Sequence, residues 1–367
     1  MFLPVIKPIV RIIFRILSFI LYGLTLVACF GGHINPAFLT IPSMMVTAMP
    51  YFVIATAITI IIWALYGRWF TAGIGVLALV IAWSPVSTAV PLHFSKSASD
   101  DALTFKVMTY NILHGDDQEK GNDAPGNRSF EYVMKSGADI VCLQELVDWN
   151  PTEVHHLESF RDSLKKVYPY WAGNTNCDQK VLSKYPVRQI PNKVFFGPNA
   201  SENRYTVYRV NIKGRELTLI NMHLNSPALS DKERNLVKDI AKGEGKQGIK
   251  ELKGSILTKF RNNMIFRAGY VNQIRDAINK IGGALIICGD FNDVPESYCY
   301  RLLRGEDLRD AYVETGFGPM VTYNRHAFWF HLDQIFYRGP LEALSVKKGK
   351  IRSSDHYPLI AEFEFTN

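Results

Sequence analysis

The chain has 367 residues, 47% of them hydrophobic, and a formal net charge of +7 at pH 7. That length exceeds one ordinary core and suffices for two structural units. Residues 1–95 carry four basic side chains (Lys7, Arg11, Arg15, Arg68) and no acidic one, which leaves 37 basic against 34 acidic residues downstream. The remainder therefore lacks the strongly basic total of a typical nucleic-acid binder, although a local basic patch stays open.

Ile9–Phe30, Met44–Tyr66 and Phe70–Val90 are apolar runs, interrupted only by Arg11 and Arg15 at the start of the first. Each reaches the roughly 20 residues that cross a hydrocarbon core. A cleaved signal peptide would explain the first run but not the two that follow. Pro50 is compatible with a membrane helix, and Trp63, Tyr66 and Trp69 cluster where an interfacial belt would lie. Residues 1–94 are thus expected to form about three transmembrane helices embedded in a lipid bilayer. Lys7, Arg11, Arg15 and Arg68 place the N-terminus and the second turn in the cytoplasm by the positive-inside rule. Three spans then put everything after about residue 92 on the other side; two spans would reverse this.

Residues 95–102 read as a short polar linker and 103–367 as the second unit, in which strands and helices alternate. A helix ends at Ser136 before Gly137, and the strand Ile140–Leu143 follows. His155–Val167 is amphipathic and stops at Pro169. Val181–Pro186 and Val194–Phe196 suggest paired strands around a turn, while Thr206–Ile212 and Glu216–Ile220 flank a hairpin turn at Lys213–Arg215. Residues 231–267 are lysine-rich and broken by glycines, which fits either a lid over substrate or membrane or a solvated helical insertion. Tyr270–Ile281 reads as an amphipathic helix ended by Gly282 and Gly283. The five cysteines show no zinc-type spacing, and Cys142 and Cys288 fit as small core residues.

Five apolar, strand-like runs stop at polar residues: Phe105–Asn111, Ala138–Glu145, Leu217–Asn225, Ala284–Asn292 and the segment leading to Ser353–His356. Functional groups collect where buried strands end and loops begin. Magnesium and manganese take oxygen ligands and keep several waters, so one or two carboxylates suffice, and Glu145 is the foremost candidate. Asp290 is placed to orient or deprotonate a water, and Asn292 to hold a phosphoryl oxygen. His223 and Asn225, two apart, face one side of their strand toward substrate. His356 is a base or a cation against developing charge, with Asp333 orienting its ring. Asp355 and His356 serve one substrate only if the backbone there is irregular.

Met108–Asn111, Leu143–Glu145, Asn221–Asn225, Gly289–Asn292, Leu332–Asp333 and Ser354–His356 resemble, in type and order, the motifs of the endonuclease/exonuclease/phosphatase (DNase I-like) family. The resemblance covers about residues 103–365. It implies a four-layer α/β sandwich around two β-sheets and hydrolysis of a phosphate ester by in-line water attack with Mg2+ or Mn2+. It further implies Glu145 at the metal, assisted by Asn111 and Asp355, Asp290 at the water, Asn292 on the phosphate, His223 and His356 binding the phosphate or assisting proton transfer, and Asp333 supporting His356. Ser297–Arg301, Leu308–Asp310 and Thr322–Tyr323 also resemble bacterial, multi-span membrane members of that family, implying an inner-membrane protein with a periplasmic catalytic unit. Gln334 and the segment Asp178–Pro186 depart from the family pattern.

A membrane-anchored hydrolase of a phosphodiester, phospholipid or sugar phosphate leads the readings. A DNase-like activity, using Arg204, Arg209 and the lysine-rich insert on nucleic acid, is the alternative. A non-catalytic binding module on the same fold is a third.

Overall fold

In the computed structural model, the described residues are 3–117, 127–146, 157–173, 177–196, 204–226, 233, 249–325 and 329–366. Five helices come first: α1 (Leu3–Phe30), α2 (Thr40–Thr47), α3 (Met49–Leu65), α4 (Trp69–Ile81) and α5 (Trp83–Ala89). Among the described residues, one helix is long and apolar enough by itself to cross a membrane, the qualifying segment Pro8–His33 lying mostly in α1. The α2/α3 pair is bent by 73° and the α4/α5 pair by 62°, so the number rises to three only if each bent pair is one span. Ile9, Ile12, Ile16 and Ile20 of α1 stay at least half exposed, an apolar stripe without a protein partner that suits lipid. Between helices, apolar packing around Ala28, Met49 and Ala82 is joined by polar contacts: Thr25 Oγ1 lies 2.7 Å from Thr56 Oγ1, and Trp63 Nε1 donates to Ser18 Oγ at 2.9 Å. Such bonds tie helices together where neighbouring lipid gives no hydrophobic drive.

The second unit contains β1 (Thr104–Asn111), α6 (Arg128–Lys135), β2 (Ile140–Gln144), α7 (Leu157–Val167), β3 (Tyr170–Ala172), β4 (Lys180–Ser183) and β5 (Val187–Ile190). There follow α8 (Lys193–Phe196), β6 (Tyr205–Ile212), β7 (Arg215–His223), α9 (Ile249–Ile278), β8 (Ala284–Asp290) and α10 (Tyr298–Arg304). The last elements are β9 (Arg309–Asp310), α11 (Ala311–Thr315), β10 (Asp333–Arg338), β11 (Leu341–Lys348) and β12 (Leu359–Phe365). Two six-stranded mixed sheets result, in the orders β11-β12-β1-β2-β4-β3 and β5-β6-β7-β8-β10-β9. Val107, Ile140, Cys142, Leu219, Ile286 and Cys288 fill the space between them. Phe130, Val133 and Leu164 of α6 and α7 cover the first sheet's outer face, and Val271, Ile274, Tyr300 and Leu303 of α9 and α10 cover the second's. Helix, sheet, sheet and helix give the layers expected from the resemblance. All five cysteines are buried.

Three expectations need correction. Val194–Phe196 is helical, not a strand: Val194 and Phe195 donate to the carbonyls of Pro191 and Asn192, and Phe196 stacks 4.3 Å from Tyr205. Val181–Pro186 has no strand partner there. Its strand β4 pairs with β2 and β3, whereas β5 pairs with β6 in the other sheet. The helix expected at Tyr270–Ile281 is the end of a 30-residue helix beginning at Ile249, because Gly254 and Gly269 sit in open positions and do not break it. Most of 231–248, and His155 and His156, lie outside the described residues.

Two buried amides join the sheets beneath the site. Gln144 Nε2 donates to Asn221 Oδ1 at 2.7 Å, and Asn221 Nδ2 donates to the carbonyls of Leu143 and Lys180 at 3.0 Å each. Fully paired amides in a dry interface fix the stacking of the sheets, because any slip strands a buried polar group.

Candidate active site

Strand register assembles the site. Asp290, the last residue of β8, pairs with His223 across the parallel ladder to β7 and with Asp333 across the antiparallel ladder to β10. In the other sheet Asn111 of β1 is level with Gln144 of β2, and Glu145 follows directly. Gly289 is required at its place: its φ is +146°, and a Cβ there would lie 1.9 Å from the Met222 carbonyl oxygen.

The strand ends then turn sharply. Glu145 (φ 57°) and Asn292 (φ 50°) are both in the left-handed region, a conformation that surrounding contacts must hold. Asn292 is fixed by its backbone N–H on Asp290 Oδ1 at 2.8 Å and by Nδ2 on the Leu224 carbonyl at 2.8 Å. Asn111 turns Nδ2 to Glu145 Oε1 at 2.9 Å and to Asp290 Oδ2 at 3.2 Å, thereby linking the two sheets' carboxylates. Asp355 and His356 precede β12 in irregular backbone, and both line the same cavity. Asn225 contributes its carbonyl, which accepts from Arg267 at 3.1 Å.

Two histidines flank Asp290 in the same manner. His356 Nδ1 lies 2.8 Å from Asp333 Oδ2, and its Nε2 is 3.5 Å from Asp290 Oδ2. His223 Nδ1 lies 2.6 Å from Asp178 Oδ2, with Nε2 at 3.9 Å from the same Asp290 oxygen. Burial works against the charged form of His223, but the Asp178 hydrogen bond and the Asp178, Asp290 and Glu145 charges prevail and lift its pKa to about 9. His356 moves the same way: burial opposes its charge and is outweighed by Asp333 and Asp290. Burial raises Asp290 to about 6, with His356 pulling in the other direction.

These groups open on a cavity of about 230 Å3, lined on its polar side by Glu145, Asp290, Asn292, Asp355, His356 and Arg267. Among the described residues, Asp290, Asp333 and His356 form a group whose ligand atoms lie within 4.8 Å of one another. Asp333 Oδ1 is a buried carboxylate oxygen with no hydrogen-bond partner. A cluster this rich in carboxylate oxygen suits a hard divalent ion.

Three contributors were not singled out from the sequence. Asp178 lies in a segment that departs from the family pattern, and its partner is 45 positions away. His114, with φ 56°, brings Nε2 to 3.6 Å from Glu145 Oε2. Arg267, at the end of the lysine-rich stretch, is 3% exposed, pairs with Asp293 at 3.3 Å, and donates to the Asn225 and Asn292 carbonyls. A basic residue one or two helical turns from apolar core positions such as Val271 and Ile274 was the available signal for Arg267.

Residues 108–356 match the model of the Endonuclease/Exonuclease/phosphatase family. The chain belongs to that family. Residues 11–89 match a second model, described as a Domain of unknown function (DUF8431). No curated protein matches. Similar solved structures include humanized D. rerio TDP2 with 14 mutations, at 16% identity and TM-score 0.46 over 71% of this chain and 98% of that one. The human Nocturnin catalytic domain with bound sulfate is similar at 18% identity and TM-score 0.44, over 72% and 94% of the two chains. An endonuclease/exonuclease/phosphatase from Beutenbergia cavernae DSM 12333 is similar at 16% identity and TM-score 0.44, over 72% of each.

Proposed function

We propose that this chain is a membrane-anchored, divalent-metal-dependent phosphoesterase whose catalytic unit lies outside the cytoplasm. The observation that carries this reading is the pair of Asp-anchored histidines turning Nε2 toward one buried carboxylate, Asp290, beside Glu145 and Asp355. Glu145, Asn111 and Asp355 would hold Mg2+ or Mn2+. When bound, the ion neutralises charge on the phosphoryl and leaving oxygens.

Asp290 orients a water and takes its proton as the water oxygen attacks phosphorus. The P–O ester bond opposite breaks, and the departing oxygen receives a proton from an imidazolium, His356 or His223. Asn292 and the two imidazolium groups bind the non-bridging oxygens, and their Asp partners keep the rings oriented. The long apolar α1 supports the membrane anchor, and Lys7, Arg11 and Arg15 at its start support a cytoplasmic N-terminus.

The nucleic-acid alternative draws less support, because Arg209 is ion-paired with Glu216 and so is committed within its own hairpin. The test is a panel offered to the purified full chain with magnesium and with EDTA: a soluble phosphodiester, phospholipid vesicles, sugar phosphates and plasmid DNA. Metal-dependent release from one class supports the reading and selects the substrate. No release from any class, with the metal shown to bind, argues against it.

A further inference from the structure

The catalytic cavity is walled in part by the N-terminal helical region. Thr47, the last residue of α2, lines it together with Phe260, Met264 and Arg267 of α9. The loop carrying Asp293 and Val294 rests on the foot of α1: a Cβ on Gly32 would lie 1.8 Å from the Glu296 carbonyl oxygen, so only glycine permits the contact. Asn35 Nδ2 adds a hydrogen bond to Tyr298 Oη at 3.2 Å. The site therefore opens where the soluble layers meet the apolar helices.

Along α9, Leu257, Phe260, Met264 and Arg267 recur at three- and four-residue intervals and share one helix face. The stripe is polar at its inner end, where Arg267 meets Asp293, and apolar for about 10 Å outward at 1.5 Å per residue. It ends at Leu257, which is 53% exposed. At the other end of α2 from Thr47, Ile41 is 67% exposed, and Phe38 just before the helix is 90% exposed. A highly polar substrate would leave this wall wetted, whereas an alkyl chain would cover it.

Building on the phosphoesterase reading for the phosphate seat, we propose that the substrate is a lipid phosphoester. Its phosphate sits at Asp290 and His356, and its alkyl chain lies along Met264, Phe260 and Leu257 against Thr47, reaching the site from the bilayer. A free phosphate or sugar phosphate shares the seat but not the wall.

The test measures binding of alkylphosphonates, methyl through hexyl to octyl, to the full-length chain in one detergent with Mg2+ present. Hydrolysis of bis-p-nitrophenyl phosphate is followed in the same preparation. A fully buried methylene is worth about fourfold in affinity, so partial cover predicts at least a tenfold gain from methyl to hexyl. Phe260→Ser and, separately, Thr47→Lys flatten the series, while partition into detergent is common to all three proteins and cancels. A flat series in the wild type, or tighter binding of a short single-stranded oligonucleotide than of octylphosphonate, overturns the lipid assignment. If bis-p-nitrophenyl phosphate is still hydrolysed in that case, the phosphoesterase reading stands alone. A steep series in a chain that hydrolyses nothing supports the alkyl site and overturns the hydrolytic reading instead.

Discussion

Asp178 Oδ2 lies 2.6 Å from His223 Nδ1, and the same contact recurs between Asp333 Oδ2 and His356 Nδ1 at 2.8 Å. Both rings then turn Nε2 toward Asp290 Oδ2, at 3.9 and 3.5 Å. The buried carboxylate is thus bracketed by two oriented imidazoles, one on β7 and one from the segment before β12 held by Asp333 of β10.

His223 titrates at about 9, above its ordinary 6.5, because Asp178 and the other carboxylates outweigh burial. The native state therefore holds this proton more tightly than the unfolded chain; the associated stability is complete below about pH 6.5 and is lost as pH rises through 9. Asp178→Asn removes the main opposition to desolvation. The alkaline limb of kcat/KM against pH is expected to fall by at least one pH unit, while Asp178→Glu retains most of the shift. An unmoved limb in Asp178→Asn would show that this pair does not set the ionisation used in turnover.

His331 behaves in the opposite sense. Burial depresses its pKa to about 4, and its Nε2 has no hydrogen-bond partner among the described residues. Between about pH 4 and 6.5 the unfolded chain binds a proton that the native state refuses, so this residue makes stability rise with pH across that window. Comparing thermal unfolding of the wild type with His331→Gln isolates it: the variant gains relative stability on acidification, by about 3 kcal/mol at most from a shift of this size. A difference independent of pH contradicts the assignment.

Arg267 is expected to be structural and site-organising together. It is 3% exposed, pairs with Asp293, and bridges the carbonyls of Asn225 and Asn292, the loops after β7 and β8. Arg267→Met leaves Asp293 buried without its cation, a loss of about 3 kcal/mol or more. Chemical denaturation should register that loss, and Arg267→Lys should recover only part of it, since one ammonium cannot serve both carbonyls and Asp293 at once, as Nη1 and Nη2 of the guanidinium do. Equal stability of all three proteins would remove Arg267 from this role.

The strand-end groups were legible because buried strands read as apolar runs and their polar terminations stand out. Asn111, Glu145, His223, Asp290, Asn292, Asp355 and His356 stand out in this way, whereas Asp333 enters as the partner of the His356 ring; register sets Asp290 level with His223 and Asp333, and Asn111 level with Gln144. Asp178 and Arg267 were not legible, because each matters through a partner far away in sequence: His223, and the loops after β7 and β8. Local pattern also misled at Val194–Phe196, where β-favouring residues fold into a short helix to place Phe196 on Tyr205. At Gly254 and Gly269, helix continuity won because neither position needs a side chain. The apolar runs before residue 90 gave the helices, but the bends at Ala48 and Ala82 were not encoded in hydropathy.

The proposed membrane anchor has its own consequence. With Ile9, Ile12, Ile16 and Ile20 exposed on α1, the full chain should sediment with membranes, resist alkaline carbonate and be released by detergent. Release by carbonate alone would show a surface association rather than a span.

The most direct test compares the full-length wild type with Asp290→Asn on bis-p-nitrophenyl phosphate, with Mg2+ and after EDTA. The account predicts turnover that EDTA abolishes and that Asp290→Asn lowers by about 10²-fold or more, the scale of a lost general base, in a variant that unfolds as cooperatively as the wild type. Turnover unaffected by EDTA, or retained by a folded Asp290→Asn protein, would contradict it.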